Sequence, residues 1–137
     1  VLILPAGHRL KGRKPIAFVD TLDEPWISLN AGAALLMTQQ QAALAAGRPF
    51  KLRMQVRSFD AVGHMVASGL GIAALPKAAA MPIIQAMGLA WRPLSDAWSH
   101  RQLKIAVRAD ATAVVRALHD YLCDPSQNAN ASLAKFK

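Results

Sequence analysis

Arg57 to Pro76, RSFDAVGHMVASGLGIAALP, decides how the rest of the chain is read. Ser58 is a good helix N-cap and Asp60 places a carboxylate in the first turn, where the helix dipole favours it. Phe59, Val62, Met65 and Val66 recur at helical spacing, which predicts one apolar face. Gly69 ends that helix, and after Gly69-Leu70-Gly71 a short apolar run, Ile72 to Leu75, reads as a buried parallel strand. Pro76 closes the strand and suits the first turn of a further helix.

The same grammar extends in both directions. Upstream, Pro15 opens a predicted helical stretch, Ile16 to Leu22, stopped by Pro25. Trp26-Ile27-Ser28-Leu29 is a strand, Asn30-Ala31-Gly32 a tight turn, and Ala33 to Ala46 a helix with Leu36, Gln40 and Leu44 in one row, ended by Gly47. Lys51 to Val56 alternates polar residues with Leu52, Met54 and Val56, as a strand with one buried face does. Downstream, Lys77 to Met87 is helical, with Pro82 expected to open a second short turn rather than sit inside the helix. Leu89 to Arg92 and Leu103 to Val107 are the last strand candidates, and Ala111 to Cys123 is an amphipathic helix with a stripe of Val114, Val115, Leu118 and Leu122. From Asp124 onward periodicity is lost, and a flexible tail is expected. Strands alternating with helices make an α/β chain with a mostly parallel sheet.

The ordered phrases resemble the C-terminal effector-binding domain of LysR-type bacterial transcriptional regulators. Val66-Ala67-Ser68-Gly69-Leu70-Gly71-Ile72, closed by Leu75-Pro76, is similar to a recurring family phrase. Leu2-Ile3-Leu4-Pro5-Ala6-Gly7-His8-Arg9-Leu10 looks like the segment crossing into the second subdomain, and Asp23-Glu24-Pro25-Trp26-Ile27 like the lead into its first strand. Arg101 to Arg108 and Thr112 to Leu122 are similar to the return strand and the last helix. The resemblance implies a Rossmann-like three-layer lobe of a type 2 periplasmic-binding-protein-like domain. It assigns 1–5 to a crossover strand from the first subdomain, 6–100 to the second subdomain, 101–123 to the return strand and C-terminal helix, and 124–137 to the tail. It also implies a cytoplasmic protein that pairs as a homodimer or homotetramer through the first long helix and the strand after it, here 33–46 and 51–56. DNA is expected to be bound only through a winged helix-turn-helix head outside this chain. Val1 is read as an internal point of a longer protein, and the helix 111–123 is expected to be covered by the 6–100 lobe, by another copy or by a separate chain.

Composition is globular: 137 residues, 53% hydrophobic and 18% charged, enough for one core. A formal charge of +8 invites a nucleic-acid reading. The cations, however, are spread over a loop (His8, Arg9, Lys11, Arg13, Lys14), a strand and scattered sites, which favours solvated faces with one or two anion-attracting spots over a direct DNA surface. Cys123 is the single cysteine, so no disulfide framework or metal pair is available. No apolar run reaches the roughly 18 residues of a membrane span.

In a parallel sheet the carboxyl ends of the strands share an edge that collects ligands, with helix N-termini aimed at it. Two turns there are candidate effector contacts: Asn30, Ala31 and Gly32, and Arg57, Ser58 and Phe59. A guanidinium fork, a hydroxyl and an aromatic ring beside helix N-termini suit a small anionic or polar molecule. The same residues also fit a structural role, with Asn30 and Ser58 as caps, Phe59 as core and Arg57 as a solvated cation. By the resemblance these turns border the cleft between two lobes. Gly69-Leu70-Gly71-Ile72-Ala73-Ala74 fits a loose dinucleotide pattern but follows a helix and opens a strand, the reverse of a phosphate loop. His8, His64, His100 and His119 lack metal-ligand spacing, and no nucleophile elbow is present. No cofactor, metal or catalytic group is expected. A lobe of a transporter's solute-binding protein, and a small α/β enzyme, are the competing readings.

Overall fold

The computed structural model describes residues 1–30, 34–100 and 104–123, which divide into a unit spanning Val1–His100 and a second spanning Arg101–Lys137. The first unit is built on β1 (Leu2–Leu4), β2 (Trp26–Leu29), β3 (Leu52–Val56), β4 (Ala73–Ala74) and β5 (Ala90–Arg92), with helices α1 (Ala34–Ala45), α2 (Phe59–Ala67) and α3 (Lys77–Met87) between them. β2 pairs with β3 in parallel, and a parallel bridge between Trp26 and Ile72 joins this pair to β4. β1 lies between β4 and β5, antiparallel to both. Four of the five strands therefore run one way, and the reversed one, β1, is an interior strand next to the β5 edge.

Strand residues alternate between two cores, as a pleated sheet requires. Leu2, Leu4, Trp26, Ile72 and Ala74 face a cluster containing Phe18, Leu22, Leu94 and Ala43 of α1. Ile3, Ile27, Ala73 and Leu75 face Val62 and Val66 of α2 and Ala80, Ile83 and Ile84 of α3. The result is helix, sheet, helix in three layers. On the first face Phe18, Trp26, Phe50 and Trp98 make a ring cluster, with Phe18 edge-on to Trp26 at 5.2 Å and to Trp98 at 5.4 Å between centroids. Two glycines are fixed by close approach. A Cβ on Gly63 would come 2.4 Å from Ile83 Cγ2, so α2 and α3 touch there. A Cβ on Gly71 would come 2.5 Å from the Pro25 carbonyl oxygen, so the turn before β4 runs directly against the lead into β2.

Several expectations are corrected. Residues 16–22 form only a 3-10 turn, Phe18–Thr21, because Ile16 is drawn into a parallel bridge with Leu94. In α1 the buried row is Leu36, Gln39 and Ala43; Gln40 is exposed and Leu44 is 80% exposed. β3 is an edge strand with Met54 exposed, so its alternation marks no fully buried face. Pro82 sits inside α3, where it has no amide to offer the carbonyl of Ala78, an exposed residue one turn earlier.

The second unit contains α4 (Ala113–Cys123), preceded by 104–108, where no strand forms among the described residues. An alternating pattern makes a strand only where another strand's edge accepts its hydrogen bonds. Along α4, Val114, Val115, Leu118 and Leu122 are 79%, 47%, 57% and 43% exposed in the single chain. Arg101 to Leu103 and the tail from Asp124 lie outside the described residues.

Candidate functional site

The register Leu29↔Val56 sets the carboxyl ends of β2 and β3 side by side. The chain leaves β3 through Arg57 and Ser58 and enters α2 at once. Ser58 is extended, with φ −136° and ψ 157°, and its Oγ accepts from the Ala61 amide at 3.1 Å, the N-cap that its residue type predicts. The first helical bond runs from the Val62 amide to the Ser58 carbonyl. The amides of Phe59 and Asp60 precede it and have no acceptor within the helix. The packing of Gly63 on Ile83 and Met87 brings α3 alongside, so Ala79, Pro82 and Ile83 wall the space in front of that helix start.

The outcome is an open groove of about 450 Å³ lined by Leu29, Arg57, Ser58, Phe59, Asp60, Ala79, Pro82 and Ile83. That volume falls in the range of small-molecule sites. Arg57 is exposed and makes no ion pair or hydrogen bond among the described residues. Phe59, expected on the helix's apolar stripe, is 37% exposed and forms part of the groove instead, while the buried face of α2 is Val62, Gly63 and Val66. One side of the groove thus offers a guanidinium, a hydroxyl proton and two open amides. The other offers apolar surface, and Asp60 adds a carboxylate at the rim.

Of the residues singled out from sequence, Arg57, Ser58 and Phe59 come together here. Asn30 follows the lining residue Leu29 and is exposed, but it does not line the groove; Ala31 and Gly32 lie outside the described residues. The wall from α3 was not anticipated. It comes from a helix two elements away, and only the close packing at Gly63 announces that neighbour. A second groove of about 470 Å³ in the Arg101–Lys137 unit is lined by 106–108, 110–112 and Val115. Its one cation, Arg108, is already bound to both Asp110 oxygens at 2.9 and 2.8 Å. It therefore offers less to a ligand.

At the opposite end of β2, Asp23 and Glu24 form an ion-pair knot. The Arg48 guanidinium hydrogen-bonds Asp23 at 2.6 Å and, with Lys51 and Arg9 nearby, holds its carboxyl below the usual carboxylate range. Glu24 is paired with Arg9 at 2.6 Å and faces His8 at 3.5 Å. No group of three or more His, Cys, Asp or Glu able to hold a metal occurs among the described residues, and none of their helices is long and apolar enough to cross a membrane.

Among solved structures, the chain is similar to the effector binding domain of QuiR in complex with shikimate, with a TM-score of 0.60, 18% identity, and coverage of 70% of this chain and 44% of that one. It also matches HinK, a LysR family transcriptional regulator from Pseudomonas aeruginosa, with a TM-score of 0.48, 24% identity, and coverage of 56% and 27% of the two chains. The C-terminal domain of a probable LysR family regulator from Rhodococcus sp. RHA1 gives 0.46, 22% identity, and coverage of 56% and 38%. The chain therefore spans less than half the length of each. No curated protein sequence matches it significantly. A family model, described as the LysR substrate binding domain, matches residues 1–124, nearly the whole chain, and the chain therefore belongs to that family and to its type 2 periplasmic-binding-protein-like α/β fold.

Proposed function

We propose that this chain is the effector-sensing part of a LysR-type transcriptional regulator and that the Arg57-Ser58-Phe59 groove is its share of the effector cleft. The observation that carries the proposal is an unpaired guanidinium beside a capped but still open helix N-terminus, at the carboxyl edge of parallel strands, in a member of this family. The ligand that fits is small, with an anionic or hydrogen-bonding end for Arg57 and the amides of α2, and an apolar side for Phe59, Pro82 and Ile83. Shikimate, which QuiR's domain holds, is a hydroxylated carboxylic acid and supplies a first probe. The role is sensing rather than catalysis, in the cytoplasm, with specific DNA binding by a winged helix-turn-helix head. Residues 6–100 are read as the second lobe, 1–5 and 101–123 as parts of the first, and 124–137 as a tail. In the intact regulator, Arg57→Ala should weaken an anionic effector by about 1.5–3 kcal/mol, the usual worth of a hydrogen bond to a charged group. Calorimetry with shikimate and related acids reads this directly; an unchanged affinity removes Arg57 from the site.

We further propose that the domain pairs side by side through α1 and β3. Support comes from Met37 and Leu44 on α1 and Met54 on β3, which are 52%, 80% and 36% exposed. Ala43, which suggests itself from its small size, is 1% exposed and belongs to the chain's own core, so it does not report on pairing. Leu44→Glu should shift sedimentation of the intact regulator toward monomer, and sedimentation identical to the parent excludes this face.

A further inference from the structure

The cations of the first unit are of two kinds. Most are engaged. Arg48 bonds Asp23 and the Val19 carbonyl, Lys51 the Asp23 carbonyl, Arg53 the Leu70 carbonyl, and Arg9 is paired with Glu24. Lys11, Arg13 and Lys14 are exposed and make no ion pair or side-chain hydrogen bond among the described residues. Of the acids that follow in sequence, Asp23 and Glu24 are already taken by Arg48, Arg9 and His8, and Asp20, exposed in the Phe18–Thr21 turn, makes no ion pair with the loop.

This loop is not loosely held. Arg92 donates from Nε to the Lys14 carbonyl at 2.5 Å and from Nη1 to the Leu10 carbonyl at 3.1 Å, so one guanidinium clamps both ends. Gly12 fits against it, since a Cβ there would lie 3.4 Å from Arg92 Cζ. The Lys11 amide is tied to the His8 carbonyl and the Ile16 amide to the Pro93 carbonyl. A surface that only needs solubility intersperses its cations with acids. Here three like charges are crowded into four residues and fixed in place with no acid among them.

We propose that the 11–14 loop is a phosphate-backbone contact for double-stranded DNA. Its three cations lie within a chain length of at most about 10 Å. A duplex presents one negative charge for about every 1.7 Å of its axis, a density that such a cluster matches and a single small carboxylate does not. The loop reads no sequence: it carries charge alone, and phosphate contacts position a protein without specifying a site. It adds a non-specific contact to whatever the regulator's head recognises, and so departs from the expectation that DNA is touched through the head alone. The proposal rests on the reading of the chain as part of a DNA-bound regulator.

The test is fluorescence anisotropy of the 137-residue chain on a random-sequence duplex of about 30 base pairs, titrated at salt between about 50 and 200 mM. The triple variant Lys11→Gln, Arg13→Gln, Lys14→Gln should lower the slope of log K against log salt by about 2–3, at about 0.9 for each phosphate no longer neutralised. An equal loss of charge elsewhere, Lys77→Gln, Lys104→Gln, Arg108→Gln, should lower it by less than about 1. The charge-preserving variant Lys11→Arg, Lys14→Arg should behave as wild type. Equal slopes for the two triple variants, or a wild-type chain with no measurable binding at the lowest salt, would overturn the proposal. Effector calorimetry on Arg57→Ala is independent of all these arms, so failure here leaves the effector reading standing, and the converse also holds.

Discussion

α2 and α4 are written in the same way and end up in opposite surroundings. Each carries apolar residues at helical spacing over about three turns. In α2, Val62 and Val66 are fully buried and Gly63 lets α3 approach to contact. In α4, Val114 and Leu118 are mostly exposed and Val115 about half exposed. An amphipathic pattern thus names the face a helix would bury, whereas burial itself depends on a sheet or helix being there to receive it. For α2 the receiving surface is Ile3, Ile27, Ala73 and Leu75. Residues 104–112 supply no comparable surface for α4.

The contrast can be broken most severely at Val66. Val66→Asp places an uncompensated carboxylate between the sheet and α3, and should cost more than about 4 kcal/mol, enough to abolish cooperative unfolding in urea. Gly63→Ala is the intermediate case. Its new methyl collides with flexible ends of Ile83 and Met87 rather than with backbone, so a loss of about 1–3 kcal/mol is expected, with the midpoint shifted and the slope retained. The smallest effect is expected at Leu118, where Leu118→Asp should change stability by no more than about 0.5 kcal/mol. A larger loss there would show that the stripe of α4 is covered in solution, and the comparison would then be between two buried helices.

Much of this architecture was legible in the sequence because its local signals agreed. Ser58 as N-cap, Gly69 as a left-handed stop with φ +71°, and Trp26 to Leu29 as a strand are each fixed by chemistry within a few residues. The errors fall where a distant partner decides. Ile16 leaves a helical spacing for a bridge to Leu94, and the strand pattern at 104–107 finds no ladder. At the groove, Arg57 and Ser58 were legible from their place after a strand. Phe59 carried two readings, groove contact and core, because helical spacing cannot tell the first turn, which overhangs the sheet edge, from the turns that lie on it. Pro82 and Ile83 were invisible as residues lining the groove, since nothing local says that α3 packs beside the start of α2.

The reversed interior strand of the sheet also sets a timetable. Residues 2–4 are fully buried, and their neighbours on either side are residues 73–74 and 90–92. During synthesis, Leu2, Ile3 and Leu4 leave the ribosome long before either partner exists, and the sheet cannot close until almost the whole first unit has followed. Such distant pairing slows folding and leaves an apolar edge uncovered meanwhile. Chains that stall before Ala90 would hold β1 by one edge only, which makes this stretch the natural target for a chaperone and the first to aggregate when none is present.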